Sequence, residues 1–416
     1  MKIIIKTVCI ILIIIISTTA ASPVGASTTD TLPTTPIAES PDISAPIAVV
    51  MDYYTGEILY ERNMEQRWIP ASMTKSMTAF IVYQEIEAGN LALDTEIQVS
   101  REAARFSSRR SVQGSYIPLP SREYLTVETL LRLLMIPSCN AAAVVFAEHI
   151  SETEEKFVDR MNETAAELGM YAEFTNSHGA YVHYTNAYST AILIREFITR
   201  YPDILRITSR QSVTFNGRRY RNTNRLISRG LMPEADGFKT GRMRQAGWNH
   251  STTAERDGKR VIAVVMNTSS SSARQLESRS LLEFGFRELE RRETKRAEKA
   301  RVFFDGEFIP LSATPEFHQG NLYLPAEEIL INLNYTIRRN PDNKLITITD
   351  KNGYTATIFT DRDLAVIYGK THTLQLPLQI YNDKIFAPID FIGTLTGATA
   401  QWSMETGVIR FKTQRG

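Results

Sequence analysis

The chain is 416 residues long and nearly neutral, with 47 Lys and Arg against 46 Asp and Glu, and 43% of it is hydrophobic. No basic excess points to nucleic acid, and this length suggests two or three domains with ample material for a core. Of the two cysteines, Cys9 and Cys139, the first falls in the leader described next, so the mature chain forms no internal disulfide and relies on packing.

At the N-terminus, Lys2 and Lys6 precede an almost unbroken apolar run to Ile16, and small residues then offer cleavage after Ala20 or Ala26. These are the n-, h- and c-regions of a secretory signal peptide, assigned to residues 1–26. The apolar core is shorter than the ~20 residues a membrane span prefers, so a secreted, extracytoplasmic protein associated with the envelope or cell wall is expected. Residues 27–46 are rich in Ser, Thr and Pro and read as a flexible or extended spacer.

Next come two β-rich runs, Ile47 to Asp52 and Glu57 to Glu61, flanking Tyr53 to Gly56 as in a hairpin. In "IPASMTKSMTAF" a serine and a lysine, Ser72 and Lys75, stand one helical turn apart at the head of an apolar run, on one face of a helix that is mostly buried. A buried lysine is costly unless its charge is accepted or its proton is given up, which makes Lys75 a candidate base. A lone S-x-x-K occurs by chance roughly once or twice in a chain of this length. Helical patterns continue to about Arg200. Strand-like runs follow at "QSVTFN" and "KRVIAVVMNT", then a helical pattern from "ARQLESRSLLEFGFRELE". The arrangement predicts one α/β domain, residues 47–290, whose two ends share a sheet.

Two further short motifs lie in that domain. "PSCNAA" supplies Ser138 and Asn140 just after a helix that Pro137 ends, and "DGFKTGRM" supplies Lys239, Thr240 and Gly241 at the opening of a strand-like region. Each is weak alone, but the order S-x-x-K, S-x-N, K-T-G in an exported chain is hard to assemble by accident. The trio resembles the serine penicillin-recognising enzymes, and within them the low-molecular-weight D-alanyl-D-alanine carboxypeptidases. The resemblance extends over about Ala45 to Glu290 and includes "IAVVMDYYTGEILYERN", "NSHG", "NTNRLI" and "DGKRVIAVVMNTSSSSARQLESRSLLEFGF".

That resemblance implies a β-lactamase/transpeptidase-like fold, a helical cluster with an antiparallel sheet, and removal of the terminal D-alanine from peptidoglycan stem peptides through an acyl-serine, with β-lactams as inhibitors. Ser72 is then the nucleophile and Lys75 the acceptor of its proton, with burial and the second cation at Lys239 expected to lower the Lys75 pKa. Ser138 relays the proton to the leaving amine, and Asn140 orients Lys75 and holds the substrate backbone. The backbone N–H groups of Ser72 and Arg242 form the oxyanion site, and Lys239, Thr240, Gly241 and Arg274 surround the substrate carboxylate, unless Arg274 is an exposed helical charge. Departures from the family pattern are Cys139 and Ala141 around S-x-N, and the bulky Arg242-Met243 after K-T-G. No histidine spacing of a metal site occurs, so neither a metal nor a cofactor is expected. His178 is assigned to the family's own turn.

Dense charges of mixed sign from Glu288 to Arg301 read as a solvated helix end and linker, with residues 291–300 assigned as the charged linker. Beyond it, residues 301–348 and 364–411 align without gaps at an offset of 63, with Gly306 matching Gly369, Leu311 matching Leu374, Pro325 matching Pro388 and Ile346 matching Ile409. Residues 301–416 are therefore a β-rich tandem-repeat domain. It resembles the copper amine oxidase N-terminal-like domain, which implies a passive spacer or a contact with the cell wall and no metal. The chain closes on a strand-like run and a polar tail, so no amphipathic C-terminal anchor is expected. The competing functions are a D,D-endopeptidase acting on cross-links, a β-lactamase, for which no E-x-x-L-N stretch is found, and a penicillin-sensing or wall-binding protein of slow turnover.

Overall fold

The computed structural model describes residues 40–107, 117–340 and 344–413. The signal peptide and all but the last residues of the proposed spacer lie outside them. The end of that spacer is docked: Ser44 Oγ and Ala45 N donate to the Glu277 carboxylate at 2.7 and 2.8 Å, and Arg62 reaches the carbonyls of Ile43 and Ala45.

The first part of the chain is built on a five-stranded antiparallel sheet. A hairpin of β1 (Ile47–Asp52) and β2 (Ile58–Arg62) joins three strands from much later in the chain, β3 (Ala235–Met243), β4 (Gly247–Arg256) and β5 (Lys259–Thr268), in the order β2-β1-β5-β4-β3. The shared sheet predicted from the sequence is thus present. Strand β4 was not anticipated, because "GWNHSTTAER" is polar; its Ser251, Thr252 and Thr253 are nevertheless fully buried and bonded to neighbouring strands.

Alternation on β1 and β5 separates two cores. Ile47, Val49 and Met51, with Ile262, Val264 and Met266, face a helical cluster that includes α1 (Lys75–Glu87), α2 (Val127–Met135), α3 (Asn140–Ser151) and α4 (Ala187–Arg200). Ala48, Val50, Ala263 and Val265 face Leu281, Leu282, Phe286 and Leu289 of the long helix α5 (Ser271–Glu298). Both faces of the sheet are covered, so residues 47–51 of β1 and 261–266 of β5 are apolar throughout.

The helix end expected within residues 288–301 is present, but helix α5 takes up nearly all of the residues 291–300 assigned as a linker. It runs without a break to Glu298, and its final turns are fastened to the sheet: Arg292 and Arg296 reach the Glu57 carboxylate at 2.5 and 2.8 Å, and Glu293 pairs with Lys259 at 3.3 Å. The mixed charges that resembled a solvated linker are partners for hairpin turns.

Residues 301–413 have their own core, from Val302 to Phe411. Both repeats contain a hairpin, a second hairpin, a short helix and a third hairpin, but the repeats are interleaved. The first strand of the first repeat, Arg301–Phe304, pairs in parallel with the last strand of the second, Val408–Thr413. The last strand of the first repeat, Leu345–Thr349, lies in one sheet with the first strand of the second, Leu364–Ile367. At the centre Tyr323, Leu324 and Pro325 oppose Pro388, Ala387 and Phe386, the same three positions of each repeat related by a local two-fold axis. The hairpin Glu316–His318 and Asn321–Pro325 rests on the first part of the chain: a Cβ added to Gly320 would lie 2.6 Å from Tyr54 Cβ, and one on Gly258 would lie 2.9 Å from the His318 ring.

Candidate active site

Ser72 occupies a short 3-10 turn, Ala71–Thr74, that leads directly into α1. Pro70 and the left-handed Ala71 (φ 50°) bend the chain so that Ser72 keeps partial exposure while Ala71, Met73 and Thr74 are buried. Two glycines make room for this turn. A Cβ at Gly241 of β3 would come within 2.3 Å of the Pro70 carbonyl oxygen, and one at Gly179 within 2.0 Å of the Ala71 carbonyl oxygen. Asn249 of β4 donates to the Ile69 carbonyl at 2.7 Å, tying the approach to the turn onto the sheet.

Lys75 is wholly buried at the start of α1. Its Nζ lies 3.1 Å from Ser72 Oγ, 2.6 Å from Asn140 Oδ1 and 2.5 Å from the His178 carbonyl oxygen. All three partners are neutral. Burial, with no carboxylate among the described residues paired to the amine, lowers the Lys75 pKa from 10.5 to about 7. Lys239 is the nearby second cation that the sequence suggested, and its own pKa falls well below its ordinary value through burial, then repulsion from Lys75 and Arg274. Holding the Lys75 amine neutral near pH 7 corresponds to roughly 5 kcal/mol of disfavoured charge.

The geometry has a chemical consequence. A neutral amine has two N–H groups and one lone pair. Asn140 Oδ1 and the His178 carbonyl accept the two N–H groups, so the lone pair is left for the Ser72 hydroxyl.

The second and third motifs meet at the same place. Ser138, in a left-handed conformation (φ 70°) just before α3, accepts a hydrogen bond of 2.9 Å from Lys239 Nζ. Thr240 Oγ1 donates to Thr223 Oγ1 at 2.8 Å. Arg274, on α5, is only 4% exposed, which removes the reading of it as an exposed helical charge. Its Nη1 approaches the Gly241 and Asn249 carbonyls at 3.3 and 3.5 Å, and burial, with Arg225 and Arg242 next, lowers its pKa to about 10. The Arg242 side chain is exposed, with its guanidinium 4.4 Å from the centre of the Trp248 ring.

Every residue singled out from the sequence therefore lies in or beside one constellation. The sequence assigned no role to Thr223, to Asn249 or to the His178 carbonyl, although "NTNRLI" and "NSHG" had been noted. The His178 ring is buried and held neutral, and its Nδ1 accepts from the Ala180 amide at 3.0 Å, in keeping with a turn. His183 meets Thr74 Oγ1 at 2.6 Å, and its pKa is pushed down to about 4 by burial and then Lys75. Cys139 is fully buried and its thiol is pushed up to about 11 by that burial, which keeps it protonated and a poor nucleophile.

Comparison with known proteins matches residues 34–270 to the family described as D-alanyl-D-alanine carboxypeptidase, Peptidase S11, and residues 303–411 to the copper amine oxidase N-terminal domain. The chain is similar to D-alanyl-D-alanine carboxypeptidase DacF of Bacillus subtilis, with 34% identity over 251 residues that make up 58% of this chain and 62% of that protein. Among solved structures it resembles penicillin binding protein 5 from Haemophilus influenzae (32% identity, 60% of this chain and 72% of that one, TM-score 0.56). It also resembles penicillin-binding protein D2 from Listeria monocytogenes in its ampicillin-bound form (29% identity, 59% and 98%, TM-score 0.52). The chain spans less than two thirds of the length of curated relatives such as DacF (62%) and DacD of Escherichia coli (64%).

Proposed function

This chain belongs to the D-alanyl-D-alanine carboxypeptidase family, and from that premise we propose that it is an exported serine carboxypeptidase that removes the terminal D-alanine of peptidoglycan stem peptides and is acylated by β-lactams. The observation that carries the reading is the environment of Lys75: a buried amine with its two N–H groups engaged and its lone pair toward Ser72 Oγ at 3.1 Å.

In this reading Lys75 Nζ takes the Ser72 proton as Oγ attacks the carbonyl of the penultimate D-alanine. The resulting oxyanion is met by the backbone N–H groups of Ser72 and Arg242. Ser138, held by Lys239, relays the proton now on Lys75 to the departing D-alanine nitrogen, which returns the Lys75 amine to its neutral form. Water, deprotonated by the same base, then hydrolyses the acyl-Ser72 ester and frees Oγ. β3 is the edge strand of its sheet, so an extended peptide can add alongside it, with its terminal carboxylate at Thr240 and Arg274.

The test is incubation with diacetyl-L-Lys-D-Ala-D-Ala and, separately, with a β-lactam. Release of D-alanine with a transient acyl-enzyme supports the carboxypeptidase. A long-lived acyl-enzyme with no peptide turnover would replace it with a penicillin-sensing protein.

Two further outcomes are expected. Gly241→Ala should lower the acylation rate by about 100-fold or more, since its Cβ would displace the Pro70 carbonyl from 2.3 Å and so shift the nucleophile turn by a fraction of an ångström or more. An unchanged acylation rate would show that the turn accommodates it freely. Truncation after Lys299, which keeps all of α5, should preserve hydrolysis of the soluble tripeptide. The turn at Asp257 on which the C-terminal hairpin rests lies eight residues along β4 from Asn249, the partner of Gly241, a distance of roughly 25 Å. We assign the interleaved repeats to contact with the cell wall, so the truncated protein should lose activity on insoluble peptidoglycan only. Loss of tripeptide hydrolysis by a folded truncated protein would show that the repeats support the site.

A further inference from the structure

Three arginines converge beside the K-T-G strand. Arg274 Nη1 approaches the Gly241 carbonyl, and its guanidinium lies 5.2 Å from the centre of the Trp248 ring. Arg242 lies over that ring at 4.4 Å, directly opposite Trp248 in the strand pairing. Arg225, half-buried at the start of the short helix Arg225–Ser228, is near enough to depress the Arg274 pKa, as is Arg242. Among the described residues no carboxylate forms an ion pair with any of the three, although the chain elsewhere pairs its arginines freely: Arg256 with Glu234 and Glu283, Arg260 with Asp236 and Glu255. The Arg274 Nε is buried without a hydrogen-bond partner. Unpaired guanidinium groups held together repel one another, and an anion relieves that cost.

One terminal carboxylate answers one of these cations and leaves two. We propose that the cluster selects peptides that carry a second carboxylate, on the side chain of the residue preceding the two D-alanines. This rests on the carboxypeptidase reading above and names its substrate class more closely. The spacing agrees with it. Thr240 and Arg242 are two residues apart on an edge strand and stand on the same side of it, roughly 7 Å apart. In an extended peptide the third residue from the end has the same separation from the last. A terminal carboxylate at Thr240 and Arg274 therefore brings the third side chain to Arg242. Arg242 is exposed and already laid on the Trp248 face, so it needs little ordering to bind.

The test uses two peptides that differ in one group: acyl-diaminopimelyl-D-Ala-D-Ala with its side-chain carboxylate free, and the same peptide with that carboxylate amidated. The full chain is expected to favour the free acid at least fivefold in kcat/KM at low ionic strength, with the preference shrinking as salt is added. Arg242→Gln should bring the two peptides to within about twofold, and Arg225→Gln should reduce the preference in part. Competition of both peptides against benzylpenicillin labelling reads the same preference without turnover. Equal handling of the two peptides by a protein that benzylpenicillin labels, or a preference that survives both substitutions, overturns this inference alone. Absence of any labelling overturns the carboxypeptidase reading and this inference with it.

Discussion

Replacing Ser72 with alanine is expected to abolish covalent labelling by a fluorescent penicillin and to reduce tripeptide hydrolysis by roughly 10⁴-fold or more, with the fold retained. The chemistry requires an oxygen at this position to form the acyl bond, and no other described nucleophile is placed to replace it. Ser138 Oγ is engaged by Lys239, and the Cys139 thiol is buried and held protonated. The fold should survive because the partly exposed Ser72 makes one side-chain hydrogen bond, to Lys75, and the amine keeps Asn140 and the His178 carbonyl. Intact-mass measurement after exposure to penicillin, with circular dichroism to verify folding, checks both halves. A penicillin adduct on the folded alanine variant would remove Ser72 from the mechanism.

The Lys75 prediction is nearly as large and carries a pH signature. With its pKa lowered to about 7, Lys75 is an ammonium below that pH and has no lone pair to offer. Acylation should therefore rise about tenfold per pH unit as the pH climbs towards 7 and level off above it. An unburied lysine would place the same rise near 10.4. Lys75→Arg keeps a cation but cannot give up its proton, so acylation should fall by roughly 10³-fold or more at every pH. Stopped-flow acylation between pH 5 and 9 measures the profile. A flat profile, or an arginine variant that acylates normally, would mean that another group accepts the Ser72 proton.

How much of this was legible beforehand differs from element to element. The β1–β2 hairpin and the strand Lys259–Thr268 were read from apolar runs, and the three motifs from their order, because each is a local pattern of residue types. Strand β4 was missed because its inward residues are serines and threonines, whose burial depends on partners in neighbouring strands. The tail of α5 reads from the sequence as a solvated helix end running into a linker, because its charges look solvated until Glu57 and Lys259, distant in sequence, are placed beside them. The duplication at an offset of 63 was plain, but a repeat in sequence does not say which strands pair, and the parallel pairing of Arg301–Phe304 with Val408–Thr413 is a long-range choice.

The sequence by itself determined the candidate reactive groups of this protein: a serine one turn before a lysine in an apolar helix, a serine and asparagine at the head of another, and a lysine, threonine and glycine on a strand. It also carried the alternation that buries both faces of the sheet. Only the tertiary structure decided what those groups can do. Motifs separated by more than 60 residues meet through contacts that no periodicity encodes, and the proposed base can be neutral because the partners of Lys75 are a hydroxyl, an amide oxygen and a carbonyl, with no carboxylate among the described residues paired to it. A pKa is a property of surroundings, set by desolvation and by the number of acceptors within reach. The same holds for Arg242 and Arg274 at Trp248 and for Arg225 near Arg274, whose lack of acidic partners among the described residues becomes visible only once the strand and two helices bring them together.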